Sequence, residues 1–273
     1  MIRRPWSALV FVLLLLSPSV VRAEFPAKDL ALAERTMGKL VNVERGHSGL
    51  APLEYDDLLA EVARAHSKDM LRRRFFSHTN PDKEGPGDRA LRLHPELVAR
   101  IGENIHHVMI TPGFDLSEKI GLEQITREAM ESLMKSPGHR ANILSPGYTY
   151  TGIGYAASEE DVYITQTFAE EVCLLDTAPP KAWPQDSALT LQGRLIADYP
   201  LARFAAFLAV PDPQAEFAYG KGRVTVGGKF LKVEPLSDRR FQLSFKLDAG
   251  KGDYQLMLGR EEKLMPGPVL RVK

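Results

Sequence analysis

The chain has 273 residues, 44% of them hydrophobic, 26% charged and 8% aromatic, with 21 Gly and 19 Pro. That is ordinary globular composition, and it excludes collagen-like, low-complexity and wholly disordered chains. Lys+Arg and Asp+Glu both total 35, so the formal net charge is +0 and the basic balance of a nucleic-acid binder is missing. The length suits one large or two modest domains. The histidines are His47, His66, His78, His94, His106, His107 and His139, so imidazole chemistry belongs to the first half of the chain.

At the start, Arg3 and Arg4 precede the apolar run Ala8 to Leu16, then Ser17-Pro18 and Val21-Arg22-Ala23. A basic start, a short apolar run and small or apolar residues before the cut predict a secretory signal peptide over 1–23, cleaved near Ala23. The run falls short of the ~20 residues that span a bilayer, so the mature chain is expected to be secreted or periplasmic, without a transmembrane anchor. Cleavage removes Arg3, Arg4 and Arg22 and no acid, leaving a mildly acidic protein.

A first domain is expected over 24–176. Leu30, Ala33, Met37, Leu40 and Val41 recur at helical spacing. So do Leu58, Leu59, Val62, Ala65 and Met70 after the N-cap candidate Asp56, and Leu122, Ile125, Ala129 and Leu133 form a third stripe. Thr151 to Tyr155 and Val162 to Ala169 read as strands, giving a layered α+β domain. Cys173 lies in an apolar run and reads as a buried hydrophobe. Residues 177–184, with Pro179, Pro180 and Pro184, read as a proline-rich linker across which few contacts should pass. Over 185–273 the period becomes two. Leu189-Leu191, Phe241-Leu243-Phe245-Leu247 and Tyr254-Leu256-Leu258 alternate, predicting about seven strands in an immunoglobulin-like β-sandwich, with a tyrosine corner at Tyr254.

Three segments carry residues able to do chemistry. They are Phe75-Phe76-Ser77-His78-Thr79-Asn80-Pro81, Ile101-Gly102-Glu103-Asn104-Ile105, and Ser136-Pro137-Gly138-His139-Arg140-Ala141-Asn142-Ile143-Leu144 followed by Thr151-Gly152-Ile153-Gly154-Tyr155. Ser136 can cap a short helix with Pro137 at its first position, which fixes His139 and Arg140 in the first turn. Gly102 permits close backbone approach beside Glu103. His66 reads as a mid-helix residue outside any cleft, and adjacent His106 and His107 point to opposite faces of an extended segment. His47 and His94 fall in loops without partners in sequence.

Taken in order, these segments resemble the CAP superfamily of cysteine-rich secretory, antigen-five and pathogenesis-related proteins, in its bacterial branch. Asn42, Arg45, Leu53, the helix Ala63 to Met70 and Gln166-Thr167-Phe168-Ala169 fit the same pattern. The resemblance covers roughly residues 30–170 and implies an α-β-α sandwich with a surface cleft lined by two His and two acids. His78, His139 and Glu103 match three of the four, with Asn104, Ser136, Arg140 and Gln166 in support. The fourth position falls near Ser136, with Glu131 a little upstream, so the set reads as three residues. His78 and His139, joined by Glu103, would suit a divalent metal such as Zn, the one cofactor this set suggests. Three uses stay open. The leading one is extracellular binding of a cell-envelope component, a lipid or a protein partner; the others are a metal-dependent hydrolase and an adhesion or spacer module without catalysis.

Overall fold

The computed structural model describes residues 26–110, 119–219 and 223–273. The leader predicted at 1–23 lies outside the described residues. Among them, no helix is long and apolar enough to cross a membrane, which says nothing of β-barrels.

The first half builds three layers. Helix α1 (Ala27–His47) presents Ala33, Met37 and Val41 inward. Strand β1 (Glu54–Tyr55) leads to α2 (Asp57–Arg73), whose first turn is capped by Asp56 accepting from the Leu59 N–H at 2.7 Å. Next come α3 (Pro86–Leu93), the long strand β2 (Leu97–Met109), α4 (Lys119–Lys135) and α5 (Pro137–Ile143). Strands β3 (Tyr150–Ala157) and β4 (Asp161–Leu175) complete the sheet. Strand β4 is central, antiparallel to both β2 and β3.

The alternation of β3 sorts the layers. Ile153 and Tyr155 join Met37, Val41, Ile125 and Leu133 in the core beneath α1 and α4. Gly152 and Gly154 face α2, and a Cβ at Gly152 would lie 2.1 Å from the Ala60 nitrogen, one at Gly154 2.1 Å from that of Arg64. Only glycine lets the helix backbone rest directly on the strand. Three elements of this half escaped the sequence reading: the two-residue β1, α3 and β2. His47 is in the last turn of α1 rather than in a loop, and His94 caps α3, buried beside Glu61 and Glu96. Ser136 occupies the N-cap of α5 but its hydroxyl makes no cap hydrogen bond, contrary to expectation.

The second half is all β. Strands β5 (Ala182–Trp183), β6 (Ala188–Leu195), β7 (Ala205–Ala209), β8 (Glu216–Tyr219), β9 (Arg223–Val226), β10 (Gly228–Leu231), β11 (Val233–Pro235), β12 (Arg240–Lys246), β13 (Gly252–Arg260) and β14 (Lys263–Val272) follow. That is ten strands among the described residues, where the sequence suggested about seven. One sheet runs β10-β7-β13-β14-β5, and β8 pairs β9 in a separate hairpin. The alternating residues Leu189, Leu191, Phe241, Leu243, Tyr254, Leu256 and Leu258 are all buried in one core. At the expected corner, the Tyr254 hydroxyl donates to the Gly250 carbonyl at 2.9 Å and accepts from the Ala249 N–H at 2.7 Å.

The proline-rich stretch does not separate the halves as expected. Strand β4 runs on to Leu175, and Cys173, Leu174 and Leu175 pair with Leu195, Arg194 and Gly193 of β6. One seven-stranded sheet therefore runs through both halves: β1, β3 and β4, then β6, β12 and β11, with β2 on β4. Val98, Val172, Cys173 and Leu175 belong to the same apolar core as Leu189, Phe241 and Leu256. Lys263 of β14 reaches Glu170 of β4 at 2.8 Å. Within the supposed linker, Ala182 and Trp183 pair with β14. Proline broke the helix and strand patterns locally, but the chain on either side of it stays in one sheet. Cys173 is fully buried, and burial alone pushes its thiol far above the usual range, so it is the inert hydrophobe expected.

Candidate functional site

The site forms where β2, the loop after α2, and α5 meet. Glu103 lies mid-β2, 6% exposed. Next to it, a Cβ on Gly102 would come within 2.1 Å of the Tyr148 hydroxyl, so glycine there permits the close approach the sequence suggested. His78, on the loop, places Nδ1 2.8 Å from Glu103 Oε1. An ionised carboxylate only accepts, so Nδ1 carries the proton and Nε2 is the acceptor.

Glu103 is held from two more sides. Arg89 of α3, itself buried, donates to Glu103 Oε2 at 2.5 Å and to the carbonyls of His78 and Glu84 at 2.8 Å. One guanidinium thus neutralises the acid and shapes the loop carrying His78. His66 of α2 is fully buried, donating through Nε2 to the Ser77 carbonyl at 3.0 Å and standing 3.8 Å from Glu103 Oε1. Its Nδ1 has no partner. Burial outweighs the pull of Glu103 and lowers its pKa, which keeps the ring neutral. His66 is outside the cleft lining, as the sequence reading had it, and stands behind the wall against Ser77 and Glu103.

His139 enters from α5, which is fastened at both ends. Asn104 donates to the His139 carbonyl and to Gln166 Oε1, both at 3.0 Å, and accepts from Asn142 at 2.9 Å. At the far end Arg45, buried in α1, donates to the carbonyls of Ile143 at 2.9 Å and Ser145 at 2.8 Å. Asn104 and Gln166 are therefore supports, as expected. Arg140 is not. It is exposed and lines a separate hollow with Met134, Lys135 and Pro137. Glu131 is also outside, its carboxylate 3.9 Å from Lys135 on the exposed face of α4.

The resulting cleft is an open pocket of about 430 Å³ lined by Phe76, Ser77, His78, Ile105, His106, His107 and His139. His78 and His139 meet there, joined by His106 and His107, which sequence reasoning set aside. Their adjacency on β2 suggested opposite faces, but both line the pocket. His139 is lowered first by burial and then by His78; His106 is lowered by burial, His139 and His107. His107 is anchored to Asp161 at 2.7 Å and stacks on Tyr163 with ring centroids 4.3 Å apart.

A divalent metal was the cofactor expected from the sequence, and the donors do not fit it. Both oxygens of Glu103 are committed, one to His78 and one to a guanidinium. Among the described residues no three His, Cys, Asp or Glu are placed to hold an ion. His78 is hydrogen-bonded to Glu103, and His139 shares the pocket with His78, with no side-chain hydrogen bond to either among the described residues. Arg89 is the residue that occupies the second oxygen of Glu103, and no motif in the sequence marked it.

The sequence pattern of the cysteine-rich secretory protein family, CAP, matches residues 39–168. YkwD, an uncharacterized protein of Bacillus subtilis strain 168, is 34% identical over 125 residues, covering 46% of this chain and 43% of that protein. YlbC, an uncharacterized membrane protein of the same organism, is 32% identical over 154 residues, covering 56% of this chain and 39% of that protein. An extracellular protein containing a SCP domain from Bacillus anthracis has 29% identity and a TM-score of 0.41, covering 51% of this chain and 40% of that one. The chain thus spans about two-fifths of the length of each of these relatives. Residues 39–168, which carry His78, Glu103 and His139, thus match the CAP family and are similar to its bacterial members.

Proposed function

We propose that this chain is an exported binding protein whose histidine-lined cleft recognises a component of the cell envelope without catalysing its turnover. The observation that carries the reading is the state of Glu103, saturated by His78 and Arg89 and so unavailable as a general base or metal ligand. Ser77, the serine of the cleft lining, accepts from the Thr79 N–H at 3.2 Å, and among the described residues no hydrogen bond links its hydroxyl to an imidazole, which weakens the hydrolase reading. Export rests on the leader at 1–23. The division into 24–176, a junction at 177–184 and 185–273 is part of the proposal, as is an immunoglobulin-like character for the last unit, supported by its tyrosine corner.

The test is co-sedimentation of the purified chain with insoluble peptidoglycan sacculi and with phospholipid vesicles, in the presence of EDTA. Retention on one of them, weakened at least about tenfold in the variant His78→Ala with His139→Ala, is the expected result. Equal retention of both proteins overturns the cleft, and retention that EDTA abolishes restores the metal.

A further inference from the structure

One wall of the cleft is aromatic, and neither the hydrogen-bonded cluster nor the family resemblance accounts for it. Tyr163 is 7% exposed and forms the base of the stack. His107 lies nearly parallel over it, at 12°. Phe76 leans against both, its ring 5.8 Å from His107 and 6.4 Å from Tyr163, yet it is 51% exposed. A large apolar ring held half in water by two packed neighbours, at the lip of a pocket, offers a face with nothing on it. The rest of the lining is Ile105, Ser77 and the imidazoles of His78, His106 and His139, with no Lys, Arg, Asp or Glu among the lining residues. Asp161, close behind, is occupied by His107.

That combination selects a ligand class. An anionic headgroup or nucleotide would find no guanidinium or ammonium in the lining, and a basic peptide no carboxylate. An acyl chain needs an enclosed apolar tunnel, whereas this pocket is open and carries Ser77 and four imidazoles, whose hydrogen bonds to water an acyl chain would remove without replacing. A sugar ring matches both surfaces. Its C–H face covers an aromatic ring, and its hydroxyls, each donor and acceptor, pair with the Ser77 hydroxyl and with imidazole nitrogens. The cavity of about 430 Å³ lies within the roughly 300–1,000 Å³ of ligand clefts.

Building on the binding role proposed for this cleft, we infer that it holds an uncharged hexopyranose ring of an oligosaccharide, stacked on Phe76 with its hydroxyls on Ser77, His78, His106 and His139. Phe76 is then the specificity residue, His107 and Tyr163 the rings that keep it upright.

The experiment is isothermal calorimetry of the full chain with cellotetraose and chitotetraose, both neutral, and with tetragalacturonate as their anionic counterpart. Saturation-transfer NMR identifies which sugar protons touch the protein. At least one neutral tetrasaccharide should bind, and tetragalacturonate at least about tenfold more weakly. Phe76→Ala should weaken binding about tenfold or more, and Phe76→Tyr, which keeps the ring, by less than about threefold. Phe76 is half exposed, so its truncation leaves the core intact, and the melting temperature of each variant checks this. No binding of either neutral sugar overturns the sugar class while leaving the sacculus and vesicle experiment to judge the cleft. Binding unchanged in Phe76→Ala but lost in His139→Ala overturns the stacking, and binding unchanged in both places the sugar elsewhere and removes the cleft reading too.

Discussion

Glu171 of β4 is an acid with no settled partner. It is 5% exposed, its Oε1 lacks a hydrogen bond, and Asp56 and Glu54 stand near enough to repel its charge. Burial first, then those two carboxylates, push its pKa from the usual 4.5 up to about 8, against a smaller pull from Arg194. The folded state therefore holds this proton more tightly than the unfolded chain. Its contribution is complete below about 4.5 and lost as pH rises through about 8. His66, His106 and His139 act oppositely, because burial lowers each from 6.5 and the fold resists their protonation. Stability should fall on the acid side of about 6.5 for the histidines and on the alkaline side for Glu171. Glu171→Gln should raise the melting temperature at pH 8.5 by about 2–4 °C, as about 1 kcal/mol does in chains of this size, and leave it within about 1 °C at pH 5. Thermal melts at both values decide it, and equal shifts would mean the charge is not the cause. Sequence alone exposed the residues that sit in motifs, His78, Glu103, Asn104 and His139. It could not expose His66 or Arg89, whose meeting with Glu103 spans separate helices, nor the ring stack, because Phe76, His107 and Tyr163 come from one loop and two strands.

At the scale of elements, the contact between α2 and β3 depends on an absent atom. A methyl group at Gly154 would meet the backbone of Ala63 and Arg64 at 2.2 and 2.1 Å, and backbone cannot move aside as a side-chain tip can. Gly154→Ala is expected to cost about 2–3 kcal/mol in urea unfolding, the upper range for overpacking. Gly138→Ala, in α5 with nothing within 4 Å of the added atom, should cost nothing and gain up to about 1 kcal/mol from helix propensity. A Gly154→Ala protein within about 0.5 kcal/mol of wild type would show that α2 is not seated on the strand. Helices α1, α2 and α4 were legible because each shows one apolar face. Strand β2 was not, since its burial comes in runs: Leu97 and Val98, then Glu103 to Ile105, are buried, and the positions between and after them are half-buried up to the exposed Met109, leaving no alternation to read. For α3 the signals were present, Pro86 at the start and Asp88 closing back on the Gly85 N–H at 2.9 Å, but the helix has only 8 residues.

For the whole molecule, the shared strand β4 and the core that joins Val98 and Val172 to Phe241 and Leu256 make the halves one cooperative body. Calorimetry should show a single unfolding transition, and the fragment 185–273 should fail to fold alone, because it loses the pairing of β6 with β4 and the residues that cover Leu195. Two well-separated transitions would restore the independent units that the prolines suggested. The sequence concealed this because Val172 to Leu175 reads as one apolar run ending at the prolines, with no sign that its backbone pairs with a strand from beyond them. A rigid junction also changes how the chain can engage a repetitive surface. A flexible tether lets two modules reach sites at many spacings, at an effective concentration set by tether length. Fixed to one strand, the cleft and the C-terminal all-β half would keep one separation and one angle, so any gain from simultaneous attachment would appear only on a lattice whose repeat matches them.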